Sequence, residues 1–220
     1  MPIAAVLFDL DGTLVDSNDF HIRAWQQAFR DAGHPIPVDA IRGQIGKGGD
    51  NLVPALLPGL PQAEQEALAS AEGEIFQRDH LAQVRPFPRA RDLLARVRDA
   101  GSRIVLASSA GAEQLDHYVD LLDARALIHA ATSKDDVDRS KPDPDIFAAA
   151  LRQADVAPEQ AIAIGDTRWD VLAAAKCGIR SLGVLSGGTP ERELREAGAV
   201  AVYPDVAALL DAYEASPLAR

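Results

Sequence analysis

Apolar residues along the chain follow two patterns, short uninterrupted runs and longer stretches with helical spacing. Residues 3–8 are apolar with no polar alternation, which is typical of a strand buried on both faces of a parallel sheet. Between residues 18 and 32 the apolar positions recur at helical spacing, and Gly33 follows as a stop signal. The amino-terminal part of the chain therefore predicts a buried strand followed by an amphipathic helix.

The second half of the chain alternates between the two patterns. It predicts helices over residues 90–100, 113–122, 145–154, 170–177, 191–196 and 206–213, and strands over residues 103–107, 126–130, 161–164, 181–185 and 199–203. This succession predicts an α/β fold with a doubly wound parallel sheet and right-handed crossovers. In such sheets the functional site lies at the carboxyl ends of the strands.

The region between these two parts has a helical pattern without a strand. From residue 35 to 85 that pattern is interrupted only by the proline pair 35/37, the glycines of 46–49 and the prolines of 58–61. We therefore expect residues 1–15 and 87–220 to form an α/β core domain. Residues 16–86 are expected to form a small α-helical domain inserted after the first strand, and residues 215–220 a frayed tail.

Length and charge narrow the class of protein. The 220 residues suffice for one α/β domain with a modest insertion. The net charge of −11 argues against nucleic acid or an anionic membrane as a partner, so an anionic substrate would need local positive charge. Because there is no basic leader, no apolar run of about 18 residues and only one cysteine, Cys177, we expect a cytoplasmic protein. No feature of the sequence determines the oligomeric state, for which a monomer or weak homodimer is the expectation.

Two acids follow the first strand directly. Side chains of extended chain alternate between faces, so Asp9 and Asp11 project to the same side. Carboxylates held this close repel each other unless a cation or a shared proton intervenes, and an oxygen-rich site suits Mg²⁺. Taken alone, the pair also fits an ordinary acidic turn.

Polar residues also follow three later strands. Ser108 and Ser109 lead into a helix whose free amides favour an anion, although serine is also a common helix cap. Lys141 lies in a turn stiffened by flanking prolines, which fix where its amine points. Asp166 and Asp170 are four residues apart and can share one side of a helical turn, whereas helix capping would account for only one of them.

These residues together predict a site for phosphoryl transfer. A metal between Asp9 and Asp166 would offset their repulsion. Phosphoryl transfer requires positioning, charge neutralisation and an in-line nucleophile, for which either Asp9 or Asp11 is a candidate. The donors available for three phosphate oxygens are Thr13, Ser108, Ser109 and Lys141.

The same stretches resemble the motifs of the haloacid dehalogenase (HAD) superfamily, in order and at plausible separations. The matching stretches are Asp9-Leu10-Asp11-Gly12-Thr13, Ser108, Lys141-Pro142, and Gly165-Asp166 through Asp170. The resemblance covers almost the whole chain and implies a Rossmann-like core with a mobile helical cap. It also implies that Asp9 is a nucleophile that forms an aspartyl-phosphate. Asp11 would protonate the leaving oxygen and then activate water.

The resemblance further implies how the site holds its ligands. Ser108 would bind the transferring phosphoryl group, and Lys141 would link that group to Asp9. Asp166 would bind Mg²⁺ together with Asp9 and the backbone carbonyl of Asp11, and Asp170 would complete or orient the acid cluster.

Several reactions are compatible with this set of residues. Dehalogenation needs neither a metal nor an acid for a leaving oxygen, so Asp11 favours phosphoryl transfer. We expect a phosphatase acting on a small phosphorylated metabolite. The alternative is a sugar phosphomutase resembling β-phosphoglucomutase, which the stretch His21-Ile22-Arg23-Ala24-Trp25 favours, with Arg42 and Lys47 as candidates for a second phosphate. A receiver-like signalling domain would instead keep a phosphorylated aspartate.

The insertion supplies the candidates for substrate contact. These are His21, Arg42, Lys47 and Asn51. The stretch Gly46-Lys47-Gly48-Gly49-Asp50 lacks the spacing of a phosphate loop, and remains either a plain turn or a turn whose amides and lysine meet an anionic group.

Overall fold

A six-stranded parallel sheet forms the centre of the protein. The computed structural model describes residues 3–219. In chain order the strands are β1 (Ala5–Phe8), β2 (Val15–Asp16), β3 (Arg85–Pro86), β4 (Arg103–Ala107), β5 (Ala130–Thr132), β6 (Ala161–Gly165), β7 (Arg180–Val184) and β8 (Ala201–Tyr203). The large sheet has the order β5-β4-β1-β6-β7-β8, and every pair in it is parallel. The first strand is therefore central, between β4 and β6.

Helices connect the strands and also make up the insertion. They are α1 (Asn18–Asp31), α2 (Val38–Arg42), α3 (Gly49–Leu56), α4 (Gln62–Asp79), α5 (Ala90–Asp99), α6 (Ala112–Leu121), α7 (Asp145–Ala154), α8 (Arg168–Lys176), α9 (Glu191–Ala197) and α10 (Val206–Asp211). Within residues 3–219, none of these helices is both long and apolar enough to cross a membrane.

The alternation of side chains along β1 explains why helices cover both faces of the sheet. Val6 and Phe8 pack on one face, in the apolar cluster that includes residues of α5, α6 and α10. Ala5 and Leu7 pack on the other face, with residues of α7 and α8. Because both faces of the strand are buried, all four residues are apolar. The structure confirms the α/β, doubly wound fold.

The four helices α1 to α4 lie between β2 and β3 and have an apolar cluster of their own. Its fully or nearly fully buried members are Ile22, Trp25, Phe29, Ile41, Leu52, Val53 and Leu68. The short strands β2 and β3 pair in antiparallel fashion, Val15 with Pro86 and Asp16 with Arg85, at the two chain crossings into this helical segment.

Three expectations from the sequence were wrong. The strand expected at 126–130 is β5, at Ala130–Thr132, because residues 127 and 128 instead bond to the carbonyl of Ala124 in a turn. The insertion is not free of strands, since its last two residues form β3. A strand of two residues is too short to show the alternation of apolar and polar positions by which strands are recognised in a sequence. The tail is folded rather than frayed, because Pro217–Ala219 form a 3₁₀ helix and Ser216 and Leu218 are buried, although Ala219 is exposed; Arg220 lies outside the described residues.

We expect the buried β1 to dominate the stability of the core. The substitution Val6→Ala removes two methyl groups from a side chain with no exposed surface, and should lower the free energy of unfolding by about 2 to 3 kcal/mol. The matched substitution Val200→Ala, at a side chain that is 48% exposed, should change it by less than about 0.5 kcal/mol. Urea unfolding of both variants measures the difference, and equal effects would contradict the central placement of β1.

Candidate active site

The carboxyl ends of β1 and β6 bring three aspartates together. Phe8 pairs with Ile164, so Asp9 directly follows β1 beside the end of β6, where Asp166 lies. Carboxylate oxygens of Asp9, Asp166 and Asp170 all lie within 4.8 Å of one another, and all three residues are buried. The parallel sheet thus gathers acids that are distant in sequence into one cluster.

A buried lysine is the cation next to this cluster. The Nζ atom of Lys141 lies 2.5 Å from Asp9 Oδ1 and 2.7 Å from Asp170 Oδ1, and the residue is 1% exposed. Burial alone would lower the pKa of Lys141, but the charges of Asp170 and Asp9 outweigh it and raise that pKa, so the ammonium is retained. The amine is therefore fixed between two of the acids.

One ammonium does not balance three buried carboxylates. Burial, with repulsion from Asp170 and Asp11, raises the pKa of Asp9 to about 7 despite the opposing charge of Lys141. Burial, then the charges of Asp9 and Asp170, raises the pKa of Asp166 well above its usual range. A hard divalent cation fits this set, because oxygen donors suit Mg²⁺ and its charge would offset the repulsion that raises these pKa values.

Close backbone approach shapes the surroundings of Asp166. A Cβ atom on Gly187 would collide with the Asp166 carboxylate, and so would one on Gly12, whose φ of +75° also favours glycine. The side chain of Asn18, the first residue of α1, donates to Asp166 Oδ2 at 2.8 Å and to the carbonyl of Gly187 at 3.1 Å. Thr13 Oγ1 donates to Asp166 Oδ1 at 3.3 Å and to Asp9 Oδ2 at 3.2 Å.

Asp170 combines two roles that were alternatives at the sequence level. Its Oδ2 atom accepts hydrogen bonds from Thr167 N at 3.0 Å and Thr167 Oγ1 at 2.5 Å, which caps α8. Its Oδ1 atom contacts Lys141. Helix capping therefore holds the carboxylate that in turn holds the lysine.

Asp11 has a different environment from Asp9, although it is only two residues away. Its Oδ1 atom lies 2.5 Å from Ser17 Oγ, 2.9 Å from the Tyr118 hydroxyl and 3.4 Å from His21 Nε2. Burial would raise the pKa of Asp11, but the hydrogen bonds from these groups and the charge of His21 outweigh burial and lower it. The two carboxyl groups thus shift in opposite directions.

His21 links Asp11 to the insertion. Its Nδ1 atom lies 2.8 Å from Glu72 Oε1 of α4, and its ring stacks on Phe76 with centroids 3.8 Å apart. Burial opposes the charged form, but the charges and hydrogen bonds of Glu72 and Asp11 raise the pKa of His21 to about 10. The imidazolium therefore bridges an acid of the insertion and an acid of the sheet.

A cavity of about 370 Å³ opens between the sheet and the insertion. Among the predicted residues, its lining includes Asp9, Asp11, His21, Lys47 and Ser109. The cavity is thus bounded by acids and cations from both parts of the chain.

The remaining candidates for phosphate and substrate contact lie elsewhere. Ser108 is fully buried, and its Oγ accepts a hydrogen bond from Ala110 N at 3.0 Å. Arg42 pairs with Asp19 on the surface at 3.1 Å, and Asn51 donates to the carbonyl of Ser140 at 2.8 Å. None of these three candidates is among the described residues that line the cavity, and neither are Thr13 and Lys141, the other two predicted phosphate donors.

Lys47 contacts the core through an aromatic ring. Its Nζ lies 4.1 Å from the centroid of the Trp169 ring and donates to Gln44 Oε1 at 2.7 Å. Arg168 stacks on the same ring at 4.2 Å and pairs with Glu193 at 3.2 Å. Burial and the nearby Arg168 lower the pKa of Lys47. Trp169 and Arg168 of the core thus lie next to Lys47, in the glycine-rich turn of the insertion.

Sequence reasoning missed several residues that hold the site together. Ser17 and Asn18 are recognisable only as the start of a helix, and Glu72 and Tyr118 as members of helices. Their contacts depend on tertiary placement, since Tyr118 is 107 positions from Asp11 and Asn18 is 148 positions from Asp166. No local spacing carries that information.

Comparison with known proteins agrees with this geometry. The family model described as haloacid dehalogenase-like hydrolase matches residues 3–178. A phosphoglycolate phosphatase of Pseudomonas putida is 29% identical over 212 residues, which cover 93% of this chain and 78% of that protein. A phosphorylated carbohydrates phosphatase of Thermotoga maritima is 28% identical over 200 residues, covering 90% of this chain and 93% of that one.

A solved structure supports the same assignment. A hydrolase from Pseudomonas syringae superposes with a TM-score of 0.90 at 31% identity, covering 96% of this chain and 98% of that one. The chain therefore belongs to the haloacid dehalogenase-like hydrolase family, and it is a phosphoric monoester hydrolase.

Proposed function

We propose that the protein is a Mg²⁺-dependent phosphatase that hydrolyses a small phosphorylated metabolite through an aspartyl-phosphate on Asp9. The observation that carries this proposal is the placement of Asp9. Its carboxylate lies at the cavity wall, paired with the ammonium of Lys141 on one oxygen and with Thr13 on the other. A nucleophilic carboxylate needs such a fixed orientation toward the phosphorus atom.

The three-aspartate cluster would hold the metal ion. Asp9 and Asp166 would ligate it with the backbone carbonyl of Asp11, while Asp170 completes or orients the cluster. Bound Mg²⁺ would neutralise charge on the phosphoryl oxygens. Lys141 binds the transferring group beside Asp9.

The two acids at the end of β1 would divide the chemistry. An oxygen of Asp9 attacks phosphorus while the bond to the leaving oxygen breaks, and protonated Asp11 gives its proton to that oxygen. Asp11 then takes a proton from water, which attacks the phosphorus and releases inorganic phosphate, so Asp9 is regenerated. Arrival of the anionic phosphate group favours the protonated form of Asp11 that the first step requires.

The donors at the end of β4 would complete the phosphate site. Ser109 faces the cavity from the segment between β4 and α6, and Ser108 lies directly before it with its hydroxyl bonded to the same segment. The amides that begin α6 are suited to an anion. Thr13 is fully buried and does not line the cavity, so its hydroxyl would hold Asp9 rather than the phosphate group.

The inserted helices would act as a cap over this site. The proposed cap comprises residues 16–86, and the core comprises residues 1–15 and 87–220. Closure of the cap would exclude water while Asp9 is attacked. The cavity between the two parts would then hold the leaving group.

The placement of the cations in the insertion favours a phosphatase over a mutase. A mutase must hold a second phosphate, and Arg42 lies outside the cavity lining in a surface ion pair. Lys47 already has Gln44 and the Trp169 ring as partners. The names of the two phosphatases compared above also point to a small phosphorylated acid or carbohydrate as the substrate class.

The first prediction concerns the nucleophile. Asp9→Asn should reduce phosphate release from p-nitrophenyl phosphate and sugar phosphates by at least about 10³-fold, because a carboxamide does not attack phosphorus. Asp31→Asn, at an exposed acid of α1, is the matched control and should retain full activity. Substantial turnover by the Asp9 variant would rule out the aspartyl-phosphate, and isomerised sugar phosphate without release would indicate the mutase.

The second prediction concerns the metal ion. Chelation should abolish phosphate release and Mg²⁺ should restore it, whereas Asp166→Asn should raise the Mg²⁺ concentration required by more than about tenfold. Mg²⁺ should also raise the melting temperature of the wild type more than that of the variant, since only binding to the folded state stabilises it. Activity that is unchanged in excess chelator would contradict a metal-dependent reaction.

The third prediction concerns the acid. Asp11→Asn should slow hydrolysis of alkyl phosphates far more than that of p-nitrophenyl phosphate, whose leaving group needs little protonation. Tyr118→Phe removes a donor that lowers the pKa of Asp11, so that pKa should rise and the fall of kcat for alkyl phosphates at alkaline pH should move to higher pH. Tyr203→Phe, on the edge strand β8, is the control. If both substrates slow equally, Asp11 is not the general acid.

A further inference from the structure

Residues at the start of α3 form hydrogen bonds with Ser140, which precedes Lys141. Asp50 accepts two hydrogen bonds from Ser140, one from its backbone N at 2.9 Å and one from its hydroxyl at 2.5 Å. Asn51 donates to the Ser140 carbonyl at 2.8 Å, and Gly48 N donates to the Ser140 hydroxyl at 3.0 Å. The peptide groups and side chain of one core residue are thus held by three residues of the insertion.

These contacts act on the segment that carries the site lysine. Ser140 is 7% exposed, and Lys141, the next residue, reaches Asp9 and Asp170. Because Ser140 is held at its N–H, its carbonyl and its hydroxyl, the backbone from which the lysine side chain leaves is fixed from the side of the insertion. The amine of Lys141 is therefore held by Asp9 and Asp170, and the backbone before it is held by the insertion through Ser140.

The glycine at position 48 is needed for this approach. A Cβ atom there would collide with the Ser140 side chain and lie 2.8 Å from an oxygen of Asp50. The glycine-rich turn noted in the sequence therefore allows a backbone amide to reach a core serine, which gives it a role other than phosphate binding.

We propose that Asp50 is a positioning residue, which fixes Lys141 against Asp9 through Ser140 only while the inserted helices are seated on the core. The proposal rests on the function proposed above for Lys141. Although Asp50 lines the cavity, both of its oxygens are occupied by Ser140, and a carboxylate there would repel a phosphate group. Asp50 therefore acts through the lysine rather than on the substrate.

The test compares Asp50→Ala with Glu64→Ala, which removes an exposed acid from the first turn of α4 and so controls for loss of a helix-terminal charge. Asp50→Ala should weaken binding of inorganic phosphate in Mg²⁺ by about tenfold, as measured by calorimetry. It should lower kcat/KM for p-nitrophenyl phosphate and for a sugar phosphate by the same factor. Asp50→Asn, which keeps an acceptor for the Ser140 N–H, should recover part of the loss.

A double-substitution cycle with Lys141→Ala separates positioning from general adhesion of the two parts. If Asp50 acts through the lysine, Asp50→Ala should cost no further phosphate affinity once Lys141 is gone. Additive losses, or a loss confined to the larger substrate, would overturn the proposal. Should Asp50→Ala fail to fold, Ser140→Ala serves in the same cycle, because it removes the hydroxyl bonds to Asp50 and Gly48.

This outcome is separable from that of the proposed function. Wild-type protein that releases phosphate only with Mg²⁺, with an inactive Asp9→Asn variant, establishes the reaction whatever Asp50 does. Unchanged phosphate affinity and turnover in Asp50→Ala would then overturn the positioning role alone.

Discussion

Burial of three carboxylates around one ammonium is the constraint on which the rest of the site depends. Asp9, Asp166 and Asp170 are together only because β1 and β6 are neighbours in a parallel sheet, and among the residues that the structure describes Lys141 is the cation that pairs with them. An arrangement of this kind costs folding energy unless the partners are fixed. The surrounding structure supplies that fixation through the cap of α8, the Asn18 amide and glycines that admit close backbone approach.

The end of β1 carries two carboxyl groups, those of Asp9 and Asp11, whose pKa values shift in opposite directions. Asp9 is surrounded by other acids, and its pKa is raised, whereas Asp11 accepts several hydrogen bonds on one oxygen, and its pKa is lowered. Environment rather than residue type makes the difference, because the two side chains leave the same turn. The proposed mechanism needs ionised Asp9 and protonated Asp11, so ligand binding would reverse both tendencies: bound Mg²⁺ would favour the ionised form of Asp9, and the anionic phosphate group would favour the protonated form of Asp11.

The sequence predicted the elements of the sheet well, because strands buried on both faces are continuous apolar runs, and most bounds agree to within two residues. It also predicted which strand ends would meet, since parallel strands present their carboxyl ends to one edge. It failed where the signal is tertiary. β5 has three residues and little periodicity, and the contacts of Tyr118, Glu72 and Asp50 join a helix to a segment that is distant in the chain.

Besides Asn18 at the start of α1, which bonds to Asp166, the inserted helices contact the surroundings of the site at two further points. On one side Glu72 holds His21 against Asp11, and on the other Asp50 holds Ser140, the neighbour of the site lysine. The contact of His21 with Asp11 and the contact of Asp50 with Ser140 both cross from the insertion to the core, and both would be lost together if the helices moved away as a unit. In the proposed mechanism, cooperative loss of this kind would make the geometry of Asp11 and Lys141 conditional on enclosure of the cavity, so that Asp9 would attack only when the leaving group is shielded from water.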